Sequence, residues 1–184
     1  MLERHVFLIG MPGSGKSSLG RKVAANLKLN YVDMDRRIAE IFGCSTVEIF
    51  ARWGEAVFRT AEKNLLIQIT REEPGLISTG GGTVIQPENR EIMRNFGVIV
   101  LVDRPLEQIL GDIKLDRRPI FAGKGLEDVE SLYHQRIATY RASADLVLDN
   151  SHGYYAGVSA MEQLLKTNFR LQAPPRDDAR RGER

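Results

Sequence analysis

Short apolar runs alternate along the chain with longer segments in which apolar residues recur every three or four positions. Runs with the length and composition of buried strands occupy 6–9, 31–32, 76–78, 98–102 and 146–148. Between them lie helical patterns such as that of Leu19, Val23 and Leu27, which share one helix face. Strands that alternate with helices form a parallel sheet covered on both faces. The pattern therefore predicts an α/β fold with three layers and about five parallel strands.

Two further segments bear on where the helices and connections lie. Ser45 and Glu48 have the spacing of a capping box, so a helix is expected to start there, and a long helix is expected at 55–70. The polar stretch 114–125 contains two glycines and joins two predicted helices. It is long for a connection in a compact domain, so it is interpreted either as a functional lid or as a loose loop.

The most informative motif follows the first predicted strand. Residues 10–17 read Gly-Met-Pro-Gly-Ser-Gly-Lys-Ser, which matches the P-loop pattern. Glycines let the backbone wrap around an anion and point N–H groups at it, and the following helix adds its positive end. Lys16 would supply a charge to the β- and γ-phosphates, and the Ser17 hydroxyl would bind Mg²⁺. The motif predicts nucleoside triphosphate binding through Gly13, Ser14, Gly15, Lys16, Ser17 and Ser18.

Polar residues and glycines at the ends of two later strands predict the rest of the site. Asp33 and Asp35 follow the second strand and would point the same way in an extended chain. One could hold Mg²⁺ through water while the other accepts a proton from a substrate hydroxyl, or one could only cap a helix starting near Arg36. The three glycines at 80–82 follow the third strand. They would let the backbone approach a ligand closely, or they would form a flexible turn.

Composition narrows the class of protein. The 184 residues carry 26 Lys and Arg against 24 Asp and Glu, and a net charge of +2 is too small to indicate a nucleic-acid partner. Residues 166–184 hold six basic and three acidic side chains, so the basic character belongs to the tail. No apolar run reaches the roughly 18 residues of a membrane span, and a single cysteine excludes an intrachain disulfide. A cytoplasmic protein without membrane or nucleic-acid partners is expected.

These motifs together resemble shikimate kinase. The resemblance covers about residues 5–165 and rests on the P-loop, Asp33-x-Asp35, Gly54-Glu55-x-x-Phe58-Arg59-x-x-Glu62, Gly80-Gly81-Gly82, Arg118-Pro119 and Tyr140-Arg141. It implies a P-loop NTPase-type fold and transfer of the γ-phosphoryl group of ATP to the 3-hydroxyl of shikimate, giving shikimate 3-phosphate and ADP. A monomeric single kinase domain is expected at 1–170, with substrate-binding helices at about 34–62 and a lid at about 114–125. The proline-rich, charged segment 171–184 is expected to be a disordered tail.

The resemblance implies roles for residues on the acceptor side. Arg59 and Arg141 would hold the carboxylate of shikimate, and Glu62 would orient Arg59. From the residues alone, Arg59 could equally form a surface ion pair, and Arg141 could be a helix C-terminal charge. Asp35 would bind ring hydroxyls and orient or deprotonate the one that attacks. Backbone donors of Gly80, Gly81 and Gly82 would lie beside it.

On the nucleotide side, the resemblance implies that Ser17 binds Mg²⁺ directly and that Asp33 reaches it through water. Arg118 in the lid would contact the γ-phosphate region and act in catalysis with Lys16 and Asp35, whereas the adjacent Arg117 is expected to face solvent. The loop at 150–152 would lie near the adenine.

Two other functions compete with this interpretation. Gluconate also carries a carboxylate and hydroxyls, so a gluconate kinase-like enzyme remains an alternative. A guanine nucleotide switch would need Asp-x-x-Gly after a strand and an Asn/Thr-Lys-x-Asp base reader. Neither motif occurs, and the nearest fragment, Ile113-Lys114-Leu115-Asp116, lacks the first residue.

Overall fold

A computed structural model describes residues 2–115, 119–121, 123 and 125–170 of the chain. Its centre is one sheet of five strands: β1 (His5–Ile9), β2 (Asn30–Asp33), β3 (Gly75–Ser78), β4 (Gly97–Asp103) and β5 (Leu146–Asp149). All neighbouring strands are parallel, in the order β2-β3-β1-β4-β5. The predicted three-layer P-loop NTPase-type fold with a five-stranded parallel sheet is confirmed.

Seven helices in the described part of the chain cover the sheet. They are α1 (Lys16–Leu27), α2 (Met34–Phe42), α3 (Thr46–Ile69), α4 (Pro87–Phe96), α5 (Leu106–Asp112), α6 (Leu126–Ser143) and α7 (Tyr154–Asn168). Short 3-10 turns lie at Thr83–Ile85 and Pro119–Phe121. None of these helices is long and apolar enough to cross a membrane.

The apolar core lies on both faces of the sheet because successive strand residues point to opposite sides. Phe7 and Ile9 of β1 belong to the cluster formed with α2 to α6. Val6 and Leu8 belong to the second cluster, formed with α1 and α7. A strand that is buried on both faces is apolar throughout, which is why the strands appear in the sequence as continuous runs.

Helix α3 begins at the predicted capping box. The Ser45 hydroxyl accepts a hydrogen bond from Glu48 N at 3.2 Å, and Ser45 N donates to Glu48 Oε2 at 2.9 Å. Gly54 interrupts the helix with φ 80° and ψ 171°, so the predicted helix at 55–70 is the second half of α3. The kink separates the capped first half from the half that carries Arg59.

Two predicted segments fall on residues that the structure does not describe. Arg117 and Arg118 lie outside the described residues, and the expected lid at 114–125 is described only in part. The expected tail at 171–184 lies wholly outside them. These interpretations stay predictions.

Candidate active site

A cavity of about 340 Å³ opens at the carboxyl ends of the strands, where parallel sheets bind ligands. Its walls bring together most of the residues predicted for the site, namely Gly13, Gly15, Lys16, Ser17, Ser18, Asp35, Arg59, Gly80, Gly81 and Gly82. Ser14, Asp33 and Arg141 are not part of the cavity wall, and Arg118 lies outside the described residues.

The phosphate-binding loop joins β1 to α1. Gly13 and Gly15 have φ values of 87° and 97°, a region that side chains with a Cβ rarely adopt. The Lys16 ammonium lies inside the loop and donates to the carbonyl oxygens of Gly10 at 2.9 Å and Met11 at 2.8 Å. The loop therefore carries its cation at its centre and next to the N-terminal end of α1, where an anion is favoured.

Ser14 stabilises this loop through hydrogen bonds of its backbone, away from the cavity. Its N–H donates to Met11 O at 3.1 Å, and its carbonyl accepts from Asn150 Nδ2 at 2.8 Å. The residue is buried and is not part of the cavity wall, and its nucleotide-binding role stays a prediction.

Asp33 and Asp35 do not point the same way. β2 ends at Asp33 and α2 begins at Met34, so the two-residue spacing spans a change from strand to helix. Asp33 caps α2, accepting from Arg36 N at 3.3 Å, whereas Asp35 lies in the first turn and lines the cavity. The extended geometry expected for this pair was wrong for this reason. Asp33 caps the helix, and its role towards Mg²⁺ stays a prediction.

The oxygen donors near the loop suit a hard divalent cation. The Ser17 hydroxyl lines the cavity 3.3 Å from the Ser78 hydroxyl, and the Asp35 carboxylate lines the same cavity. Among the described residues, no group of three His, Cys, Asp or Glu side chains forms a ready metal site. This donor set fits Mg²⁺, which usually keeps water molecules and substrate phosphates among its ligands.

Arg59 lies in the cavity between two carboxylates. Its guanidinium forms an ion pair with Glu62 and donates to Glu55 Oε1 at 3.0 and 2.8 Å. Burial acts to lower the pKa of Arg59, but Glu62 and Glu55 outweigh burial and raise it above its ordinary value. The side chain is 17% exposed, so Arg59 is a cation held in a cavity wall and not only a surface ion pair.

Glu62 is buried and has a second partner that sequence analysis missed. Its Oε1 atom accepts a hydrogen bond from Thr83 Oγ1 at 2.6 Å, while its other oxygen pairs with Arg59. Thr83 lies 21 residues further along the chain, so no local spacing indicated this contact. The bond fixes the carboxylate that orients Arg59.

The triple glycine passes close to these side chains. A Cβ atom on Gly80 would stand 2.7 Å from Asp35 Oδ1, and one on Gly82 would collide with the guanidinium of Arg59. Larger residues could not lie here without displacing the two charged groups. The glycines thus bring backbone, carboxylate and guanidinium together.

The arginines of α6 lie in different places, and Arg141, which was predicted to bind the acceptor, is not part of the cavity wall. Arg136 lines the cavity and donates to Gly81 O at 3.3 Å, and the Tyr140 hydroxyl donates to the same oxygen at 2.6 Å. Arg141 is 60% exposed and pairs instead with Asp103 at 3.3 Å, beside a different depression. Residues 136 and 140 share a face of α6, whereas residue 141 is turned about 100° away. An arginine four positions before a buried tyrosine was the signal that could have identified Arg136.

Arg104 is a second cavity cation that sequence analysis missed. It follows β4 directly, donates to Gly13 O at 3.1 Å and forms an ion pair with Asp112, which also lines the cavity. Its place after a strand at the ligand-binding edge of the sheet was a usable signal.

The loop at 150–152, predicted to lie near the adenine, is not part of the cavity wall. Asn150 is buried under the phosphate-binding loop, and Ser151 O accepts from Gln108 Nε2 at 2.8 Å. This loop therefore contacts the phosphate-binding loop through Asn150 and α5 through Ser151.

A phosphate-binding loop that shares one cavity with carboxylates and three arginines defines a P-loop kinase acting on a small acceptor. A family model for shikimate kinase matches residues 12–166, and the chain belongs to the shikimate kinase family. A shikimate kinase of Clostridium beijerinckii is 35% identical over 170 residues, covering 92% of this chain and 99% of the relative. One of Geobacter metallireducens is 39% identical over 150 residues, covering 80% and 83%.

Solved structures agree with this family. The chain resembles a shikimate kinase of Acinetobacter baumannii in complex with shikimate, with a TM-score of 0.81, 29% identity and coverage of 89% of this chain and 92% of that one. A shikimate kinase of Aquifex aeolicus gives a TM-score of 0.77 at 30% identity, with coverage of 89% and 97%. The chain is therefore an ATP-dependent kinase of this family.

Proposed function

We propose that this protein transfers the γ-phosphoryl group of ATP to the 3-hydroxyl of shikimate, giving shikimate 3-phosphate and ADP. One observation carries the proposal: a single cavity contains both the phosphate-binding loop and an arginine fixed by a buried carboxylate. The related structure from Acinetobacter baumannii is described as a complex with shikimate. The acceptor would therefore bind next to the phosphate that it receives.

The carboxylate of shikimate would bind to Arg59 and Arg136. Arginine suits this role because its planar guanidinium can donate two parallel hydrogen bonds to a carboxylate. Arg136 replaces Arg141 in this proposal because Arg141 pairs with Asp103 outside the cavity. Backbone groups of Gly80, Gly81 and Gly82 would contact the ring.

Asp35 would accept a hydrogen bond from the 3-hydroxyl and orient it for attack. As the bond from the 3-oxygen to the γ-phosphorus forms, the bond from that phosphorus to the bridging oxygen of ADP breaks. The hydroxyl proton passes to the Asp35 carboxylate. Phosphoryl transfer needs little covalent chemistry from the protein, so positioning by these side chains is most of its contribution.

Lys16 and the N–H groups of the loop, including those of Ser17 and Ser18, would bind the β- and γ-phosphates. Bound Mg²⁺ neutralises charge on the phosphate oxygens. Ser17 would hold the ion directly, and Asp33 would reach it through water. Arg118 remains a predicted contact of the γ-phosphate.

We also propose that the protein acts as a monomer in the cytoplasm. In support, one chain supplies both the phosphate-binding loop and the acceptor arginines of the cavity. No second subunit is needed to complete the residues named above.

A coupled assay of ADP release, run with a panel of hydroxy acids, tests the proposed reaction. Shikimate should stimulate ADP release strongly, gluconate should not, and the product should carry phosphate on the 3-oxygen. Lys16→Ala should lose about 10²-fold or more of the turnover while remaining folded, because its charge acts on the transferred group. Stimulation by gluconate and not by shikimate would contradict the proposal.

A further inference from the structure

We propose that Arg104 is a positioning residue for the nucleotide: it fixes the phosphate-binding loop through Gly13 and neutralises Asp112 at the cavity wall. This inference rests on the proposed function, because it assigns the Arg104 side of the cavity to ATP. It concerns a side chain that the phosphoryl-transfer steps above do not use.

Arg104 lies between three parts of the molecule. Its Nη1 atom donates to Gly13 O at 3.1 Å, and its Nη2 atom pairs with the carboxylate of Asp112 at the end of α5. Its Nε atom donates to Gln108 Oε1 at 3.4 Å, and Gln108 in turn donates to Ser151 O. One guanidinium thus connects the phosphate-binding loop, α5 and the loop after β5.

The bond to Gly13 acts on the shape of the loop. Gly13 has a φ of 87°, and a Cβ atom there would stand 3.2 Å from Ile109 Cγ2, so α5 packs directly against this residue. A charge-assisted bond to the Gly13 carbonyl holds the peptide in the orientation that the loop requires. Removing it frees the loop at the point where phosphate oxygens are to be bound.

The ion pair with Asp112 neutralises a negative charge on the cavity wall. Arg104 is 19% exposed and Asp112 is 66% exposed, yet both line the cavity. Without Arg104, the Asp112 carboxylate would stand unneutralised on the cavity wall and would repel a triphosphate. The loss of Arg104 therefore adds a repulsive charge as well as removing a hydrogen bond.

This predicts a specific pattern in a double-mutant cycle. Arg104→Ala should raise the KM for ATP by about tenfold or more and leave the KM for shikimate within about twofold. Asp112→Asn alone should keep the KM for ATP at or below that of the wild type, because it leaves Arg104 with an uncompensated positive charge. The double variant should recover part of the affinity for ATP that Arg104→Ala loses.

A purely structural ion pair would behave differently. In that case Asp112→Asn would be as harmful as Arg104→Ala, and the double variant would recover nothing. Arg37→Ala is the matched control, since Arg37 forms a comparable pair with Glu72 at 2.7 Å outside this cavity. It should leave both KM values unchanged.

Direct binding of ADP, measured by calorimetry on the same four variants, separates this inference from the proposed reaction. The binding pattern should follow the KM for ATP even if shikimate proves to be the wrong acceptor. Thermal melts identify any variant that fails to fold, and Arg104→Lys then serves instead, since it keeps the charge but loses the planar fork. Equal ADP affinity in folded wild type, Arg104→Ala and Arg104→Lys would overturn the inference.

Discussion

Arg136 and Tyr140 reach the same carbonyl oxygen, that of Gly81, from successive turns of α6. Tyr140 is buried, and burial raises the pKa of its phenol above the ordinary value, so the hydroxyl stays a donor. The two bonds orient the middle residue of the triple glycine. They also place the Arg136 guanidinium in the wall of the cavity.

Exchanging Arg136 or Arg141 for alanine tests which arginine binds the acceptor. Arg136→Ala should raise the KM for shikimate by about tenfold or more, because a charge-assisted bond to the carboxylate is lost. The KM for ATP should change much less, and Arg141→Ala should have a far smaller effect than Arg136→Ala on the KM for shikimate. Initial-rate kinetics with each substrate varied in turn provide the measurement. A larger increase in the KM for shikimate in Arg141→Ala than in Arg136→Ala would show that Arg141 binds the acceptor instead.

At the scale of single residues, sequence analysis predicts roles within a continuous motif but misses contacts between residues that are far apart in the chain. Gly13, Lys16 and Ser17 form one continuous motif, so their roles could be predicted from eight residues. Arg136 was missed because the choice between it and Arg141 depends on the phase of a helix. Thr83 and Arg104 were missed because their partners lie 21 and 91 residues away.

Among the elements, α3 has a backbone feature that no contact requires. Gly54 has φ 80° and ψ 171°, yet a Cβ atom added there would meet nothing within 4 Å. The residue is therefore needed for its backbone conformation and not for space. The bend sets the direction of the half of α3 that carries Arg59 into the cavity.

Gly54→Ala should lower the free energy of unfolding by about 1–3 kcal/mol, because this conformation is nearly restricted to glycine. It should also raise the KM for shikimate more than that for ATP, since Arg59 depends on the kink. Gly111→Ala is the matched control: it lies within α5, and its added Cβ also meets nothing within 4 Å. That variant should gain about 0.5–1 kcal/mol. Urea denaturation measures both, and equal effects would contradict the role of the kink.

Element types were predictable, and so was the division of α3 into two parts. The capping box marked the start of its first half, and helical spacing indicated a second helix at 55–70. The structure places a non-helical residue, Gly54, between the two halves. The passage from β2 to α2 between Asp33 and Met34 was not predicted, so the two aspartates do not belong to one extended segment.

For the whole molecule, the fold was predictable because apolar strands alternate with amphipathic helices, and that pattern depends on no single contact.

The amino end of the central strand β1 carries a titratable group that affects global stability. His5 in β1 is buried, and its Nδ1 atom accepts from Gly75 N at 3.3 Å. Burial lowers the pKa of His5 below 6.5, and the charge of Glu72 opposes this only in part.

The pH dependence of unfolding should reflect His5. Because the native pKa is lowered, the unfolded state binds more protons between that pKa and 6.5, so the free energy of unfolding falls as the pH falls through this window. Above pH 6.5 the contribution is complete. His5→Asn keeps an acceptor for Gly75 N but does not titrate, so its stability should depend less on pH between 7 and 5. Urea denaturation at a series of pH values tests this, and an unchanged slope would exclude His5 as the source.

The strand order has a consequence for how an enzyme of this kind can evolve specificity for a different acceptor. The chain leaves the sheet at the edge strand β2, builds α2 and α3 with Asp35 and Arg59, and returns at β3. The phosphate-binding loop follows the central strand β1, and Arg104 follows β4 on the far side. The part of the acceptor side that carries Asp35 and Arg59 is thus one continuous segment between two neighbouring strands, whereas Arg136 comes from α6. Recombination could exchange this segment and alter the acceptor site without altering how the phosphate donor is held.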